Sequence, residues 1–166
     1  MSLRLERLPP LAAAALLAAC AMPGTHEFAM GSSAESVIQS LGRPTAEYRS
    51  ATGGRRLEYT GGAYGRFTSM FDFDASNRLV GTEQVRTEAH FGTIRAGMTG
   101  DEVGARIGLP STIWRIQWQK QDVWSYRYDT PFCKWFMVGM GADGRVVDTA
   151  YGPDPMCDRE NSRSSG

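Results

Sequence analysis

Leu41-Gly42-Arg43-Pro44 recurs 66 residues on as Ile107-Gly108-Leu109-Pro110, and this pair of helix endings decides how the chain is read. Val37 matches Val103 at the same offset. Leu57-Glu58-Tyr59 matches Trp124-Ser125-Tyr126 at an offset of 67, as does the run from Phe71 to Val80 against Val138 to Val147. One inserted residue reconciles the offsets. Four matches in the same order read as a duplicated unit.

Each unit can be read outward from its helix ending. Thr99 with Glu102 forms a capping-box pattern, and Ser32 with Glu35 repeats it. Helices are expected from about Ser33 to Leu41 and from Gly100 to Ile107. Val103 and Ile107, one turn apart, form the second helix's buried stripe. Gly42 and Gly108 suit a left-handed stop, and Pro44 and Pro110 bar continuation. Helices this short need a sheet to pack on.

The sheet follows in each unit. Ile113 to Gln119 alternates, with Trp114, Ile116 and Trp118 on one face, and Lys120-Gln121-Asp122 turns the chain. Val123 to Asp129 returns with Trp124, Tyr126 and Tyr128 sharing a face. Phe132 to Met140 is apolar on both faces, as a central strand is. Asp143-Gly144 is a hairpin turn, and Val146 to Tyr151 closes the unit. The expected fold is α+β: two tandem repeats, each a short helix or helix pair followed by an antiparallel β-meander.

The N-terminus stands apart. Arg4 and Arg7 precede a wholly apolar run from Leu11 to Ala19, nine residues long, that ends at Cys20. A run this short cannot span a bilayer, and the layout is that of a signal peptide. Leu17-Ala18-Ala19-Cys20 resembles the bacterial lipobox, which makes Cys20 the lipidation site and residues 1–19 a signal peptide. Several acyl chains on one cysteine anchor a protein far more firmly than one. Ala21, where an Asp would retain an enteric-type lipoprotein in the inner membrane, points to the outer one. The expected partition is a lipidated linker at 20–30, a degenerate first repeat at 31–86, a second repeat at 92–152 and a C-terminal tail at 153–166.

Composition narrows the function. Hydrophobic residues are 42% and charged residues 22% of the 166, a globular balance. The formal net charge is zero, and removing residues 1–19 leaves 16 basic against 17 acidic residues. Nucleic acid as a partner is disfavoured, since binding it needs a concentrated basic surface. In an exported chain Cys133 and Cys157 meet oxidising conditions, so a disulfide between them is one reading. A free buried Cys133 with a frayed Cys157 is the other.

The run Ile94-Arg95-Ala96-Gly97-Met98-Thr99-Gly100-Asp101-Glu102-Val103, with Gly108-Leu109-Pro110, Trp124-Ser125-Tyr126 and Asp143-Gly144-Arg145-Val146, resembles the BamE/SmpA/OmlA lipoprotein family. Its pattern is a Gly-Met-Thr helix start, a Leu-Gly-x-Pro ending, a Trp-x-Tyr strand and an Asp-Gly hairpin. The second unit carries all of it, with Ile107 for the usual leucine. The first unit departs, with Gly31-Ser32 for Gly97-Met98 and Leu57-Glu58-Tyr59 for Trp-x-Tyr. The resemblance implies a non-catalytic lipoprotein on the periplasmic face of the outer membrane. The resemblance further implies association with the machinery that inserts β-barrel proteins, or support of envelope integrity. Two tandem units also resemble β-lactamase inhibitory protein, which implies an alternative: an inhibitor of a periplasmic or host hydrolase. A passive structural lipoprotein is a third reading.

Chemistry is sparse. His26 lies in the linker and His90 in the connection between units, and each reads as a solvated or capping residue. No Gly-x-Ser-x-Gly, His-Glu-x-x-His or phosphate loop is present. Asp72 and Asp74 share a strand face but read as solvated turn carboxylates. Cys133, Cys157 and one histidine fall short of a metal set. No catalytic residue, metal site or cofactor is expected. The functional signal is aromatic: all four tryptophans, at 114, 118, 124 and 135, lie within 22 residues. Trp114, Trp118, Trp124, Tyr126 and Tyr128 are the candidates for a protein-binding face. The competing reading places the same rings in the core, and the alternation alone leaves open which face is free.

Overall fold

The computed structural model describes residues 28–49 and 53–157. The expected signal segment, the expected lipidation site Cys20, His26, the start of the expected linker and the tail beyond 157 lie outside the described residues.

The fold is α+β. Helix α1 (Ala34–Leu41) precedes strands β1 (Ala46–Arg49), β2 (Arg55–Gly61), β3 (Phe67–Phe73) and β4 (Leu79–Gln84). A short α2 (Glu88–Phe91) and α3 (Gly100–Ile107) precede β5 (Thr112–Ile116), β6 (Gln121–Tyr126), β7 (Lys134–Met140) and β8 (Val146–Pro153). Consecutive strands pair antiparallel, giving two four-stranded sheets in sequence order. Each sheet is tied back to its helix by an isolated bridge, Ser33 to Arg78 in one and Thr99 to Arg145 in the other.

The helix ends follow from local chemistry. Thr99 and Glu102 make the full capping box, with the Thr99 amide donating to Glu102 Oε2 at 2.7 Å. Gly42 and Gly108 end their helices at φ 82° and 80°, a region L-residues avoid. One expectation is corrected: α1 is capped by Ser33, whose hydroxyl accepts from the Ser36 amide at 3.2 Å, and not by Ser32 with Glu35. Ser32 is already committed, donating its hydroxyl to the Ala29 carbonyl and lending its own carbonyl to the Leu79 amide. Glu35 turns instead to Arg55 at 3.4 Å.

Each helix buries one stripe on one sheet face. Ala34 and Val37 meet Leu57, Phe71, Phe73 and Leu79 in the first core. Val103 and Ile107 meet Tyr126, Phe136, Val138, Met140 and Val146 in the second, joined by Phe91 from α2, which stacks on Phe136 at 4.5 Å. Cys133 and Cys157 form a disulfide that closes the second sheet's far end, their Cα atoms 6.0 Å apart.

The opposite face of the first sheet is covered by the start of the second half. The Glu58 carboxylate, fully buried, accepts from the Leu109 amide at 3.1 Å, from Tyr48 at 2.7 Å and from Thr60 at 2.8 Å. Arg56 donates to the Ala105 carbonyl at 2.7 Å. Small residues on α3 allow this approach. A Cβ on Gly104 would lie 2.9 Å from the Tyr48 ring, and one on Gly108 would lie 2.8 Å from Glu58. Arg86, itself buried, joins the halves through Ser111 and the carbonyls of Leu109 and Arg127. Burial holds its guanidinium below the ordinary arginine range.

Candidate functional site

The β5–β6 register decides which aromatics share a face. Trp114 pairs with Val123 and Ile113 with Trp124. Residues directly opposite in a ladder point the same way. Trp114 therefore stands with Val123 and Ser125 on the open face, and Trp124 stands on the helix side.

The five candidate residues divide accordingly, which corrects the expectation of one aromatic surface. Tyr126 and Tyr128 belong to the core, at 0% and 5% exposure. The Tyr128 hydroxyl donates to Glu88 at 3.0 Å. Trp124 is half-buried against α3, where a Cβ on Gly100 would lie 2.8 Å from its ring. Trp114 is on the open face at 41% exposure, its indole N–H donating to Ser125 Oγ at 3.1 Å. Trp118 does not share that strand face, because β5 ends at Ile116 and Gln117–Gln119 form a single 3-10 turn. It is the most exposed large hydrophobic side chain among the described residues, at 84%.

The open face of the second sheet is a groove of about 170 Å³ lined by Trp114, Ile116, Gln119, Val123, Met137 and Ala150, with Gln121, Gly139 and Asp148 at its polar end. Gln121 donates to Asp148 at 3.0 Å across β7, and glycine at 139 leaves room for this bond, since a Cβ there would lie 1.7 Å from the Gln121 amide. Beyond the groove, Arg127 holds Asp154 through two bonds, 2.7 and 3.1 Å, and lies 5.3 Å from the centre of the Trp135 ring. Met137, Ala150, Gln121 and Asp148 were not among the sequence candidates. Only the strand register brings them beside Trp114.

The matching face of the first sheet is chemically different. Trp114, Val123, Ser125, Met137 and Gly139 occupy the ladder positions held there by Tyr48, Arg56, Glu58, Met70 and Asp72. That face is polar and covered; this one is more apolar and, among the described residues, exposes Trp114 and Ala150 while Val123 and Ser125 lie buried.

Groups able to move protons are tied up in the covered region. Both ring nitrogens of His90 are engaged, Nδ1 with Thr87 at 2.8 Å and Nε2 with Glu83 at 3.0 Å. Burial alone would raise the Glu83 carboxyl, but its bonds to His90 and Arg56 hold it below the usual carboxylate range. Asp72 is not a solvated turn carboxylate: Arg56 grips it at 2.6 and 2.7 Å. Asp74 does serve the turn, accepting from the amides of Ser76 and Arg78 at 2.9 Å. Burial, then its bond to Glu58, pushes the Tyr48 hydroxyl well above the ordinary tyrosine range. Among the described residues no group of three or more His, Cys, Asp or Glu is placed to hold a metal ion. No helix of these residues is long and apolar enough to cross a membrane.

No family model matches the chain, and no curated protein matches it. Among solved structures it is similar to an extracellular protein containing a SCP domain from Bacillus anthracis str. Ames, at 14% identity and a TM-score of 0.29. That match covers 80% of this chain and 46% of the other, so the chain spans under half of that protein's length.

Proposed function

We propose that the chain is a non-catalytic, lipid-anchored bacterial envelope protein that works by binding protein through the open face of its second sheet. In this reading it is a duplicated form of the BamE/SmpA/OmlA unit. Cys20 carries the lipid, the body faces the periplasm from the outer membrane, and the role lies in β-barrel protein assembly or envelope integrity.

One observation carries the binding role. Equivalent faces of two similar sheets differ, the first polar and covered by α3, the second more apolar and, among the described residues, presenting Trp114 and Ala150 to solvent. Exposed aromatic and aliphatic groups on a rigid sheet, rimmed by polar residues, are what protein interfaces are built from. Support for duplication comes from the repeated element order, the shared bridge between helix start and hairpin, and the matched glycines that end α1 and α3.

The test has two arms. Replacing Cys20→Ser should release the chain from the membrane fraction. Purification of the native-level lipoprotein from detergent extracts should recover a β-barrel assembly component, and Met137→Glu, which places a charge in the groove, should abolish that recovery. Absence of such a component from the wild-type preparation removes the proposed partner.

A further inference from the structure

We infer that the chain just ahead of Phe28, residues Met22 to Glu27, lies in an open cavity on the helix side of the first sheet, in the place that α2 takes on the second. The inference is separate from the binding role proposed for the second sheet.

The cavity is about 450 Å³ and is lined by Phe28, Met30, Ser69, Phe71, Thr82 and Gln84. An apolar space of about 150 Å³ holds one benzene ring, so this one takes a length of chain and not a single side chain.

Three observations name the occupant. The first is register. The Gly31 amide donates to the Leu79 carbonyl at 2.8 Å, and the Leu79 amide donates to the Ser32 carbonyl at 2.9 Å. Gly97, Val146 and Met98 repeat both bonds, each at 2.8 Å. Arg78 and Arg145 reach the carbonyls of the two matched glycines. The two units therefore run in step here, and Phe28 matches Ile94. Each packs on the core of its own unit, Phe28 edge-on to Phe71 at 5.7 Å. In the second unit the chain just ahead of Ile94 is α2, whose Phe91 lies on Phe136. Residues 22–25 match α2 in the first unit and fall outside the described residues.

The second is chemistry. Ser69 and Gln84 stand at the ladder positions held by Phe136 and Tyr151 in the second sheet. An aromatic anchor like Phe91 has nothing to stack on there, and the matching chain brings none. From Met22 to Glu27 the one large apolar side chain is Met22, while Pro23 and Gly24 disfavour a helix. A stretch so poor in apolar groups presents its backbone instead. The hydroxyls of Ser69 and Thr82 and the side-chain amide of Gln84 are groups that can bond it.

The third is the point of entry. Phe28 is itself a wall of the cavity, so the residues before it start at the rim. Met30, 62% exposed on the same wall, is an apolar side chain for the segment to cover. Six extended residues reach about 20 Å, ample to cross β3 and β4, which lie about 5 Å apart. Where Cys20 carries the lipid, docking leaves only Ala21 between anchor and body. The first unit is then held at the membrane surface instead of ranging over the whole linker's reach.

The test uses the full-length lipoprotein in detergent with the Cys133–Cys157 bridge intact. Thr82→Cys, at an exposed position in the cavity, is treated with a bulky maleimide, and labelling at residue 82 is read by peptide mass. It should react at least ~10-fold more slowly than in the same variant with residues 22–27 replaced by glycine and serine, the protection given by a segment that opens only locally. Val80→Cys, 60% exposed and outside the cavity, should react equally in both chains. In one chain, Met22→Cys with Thr82→Cys should form a bridge on mild oxidation. Met22→Cys with Glu47→Cys, on the far edge strand of the same sheet, should not. Equal rates at Thr82→Cys in the two chains, slow reaction in both, or equal bridging to Glu47→Cys would each overturn the inference. No readout here involves a partner protein, so its failure leaves the proposed function standing.

Discussion

Gly42 and Gly108 occupy the same place, one residue past a helix, at φ 82° and 80°, yet replacing them by alanine should have very different consequences. At Gly42 a Cβ meets nothing within 4 Å, so Gly42→Ala carries only the backbone cost of an L-residue at that φ, about 1–3 kcal/mol. At Gly108 the same Cβ would lie 2.8 Å from Glu58 Oε1 and 2.9 Å from Thr68 Cγ2, both on fully buried side chains. Glu58 cannot retreat without loosening its bonds to Tyr48, Thr60 and the Leu109 amide. A bond to a charged group contributes about 1.5–3 kcal/mol, so Gly108→Ala should cost at least that much more than Gly42→Ala. Urea unfolding of the disulfide-intact protein, followed by tryptophan fluorescence, measures both. A gap of this size corresponds to roughly 5–10 °C in Tm for a body of this length. The double variant completes the argument: in a Glu58→Ala background only the Thr68 contact remains, and the gap between the two alanines should narrow. Equal losses at Gly42 and Gly108 in the wild type would refute the claim that Glu58 clamps the halves.

Other outcomes follow from the same geometry. Tyr126→Ala should lose about 3–5 kcal/mol because it empties the second core, whereas Trp118→Ala should change stability by less than about 0.5 kcal/mol; the reverse ranking in denaturant midpoints would invalidate the assignment of faces. Reducing the Cys133–Cys157 bridge, with 24 residues of sequence separation, should lower stability by about 3.5 kcal/mol on the chain-entropy model, read as a fall in Tm with added thiol. Glu83 has a carboxyl held below its ordinary value by His90 and Arg56, so its contribution is complete above the unfolded carboxylate range and is lost as pH falls below it. The urea midpoint of Glu83→Gln between pH 6 and pH 3 should accordingly fall less steeply than that of the wild type; parallel curves would remove Glu83 from the account.

Much of the fold was legible because its signals are local. The Thr99–Glu102 box and the glycine stops need only neighbouring residues, and the structure realises both. The cap of α1 was misread by one residue because Ser32 is claimed by Leu79, a partner 47 positions away that no local pattern reveals. The aromatic candidates divided for a related reason, with Trp114 and Trp118 exposed and Tyr126 and Tyr128 in the core. Alternation sorts Trp114 from Arg115 and Trp124 from Ser125, but it is silent on which set of β5 joins which set of β6. That choice is made by the Trp114–Val123 register, and it divides what composition presents as one cluster.

One long-range signal was nonetheless present in the chain. The second helix carries glycine at 100 and 104, whereas the first has Ala34 and Ile38 at the matching positions. A glycine inside so short a helix costs up to about 1 kcal/mol against alanine. Small residues there fit a helix pressed from more than one side, and α3 is so pressed, by Trp124 on its own sheet and by Tyr48 on the other. The first helix, with Ile38 in place of Gly104, has no second sheet against it among the described residues. The two halves therefore cannot be interchangeable. The polar face of the first sheet is shaped to receive a helix within the chain, and the apolar face of the second has no such occupant among the described residues.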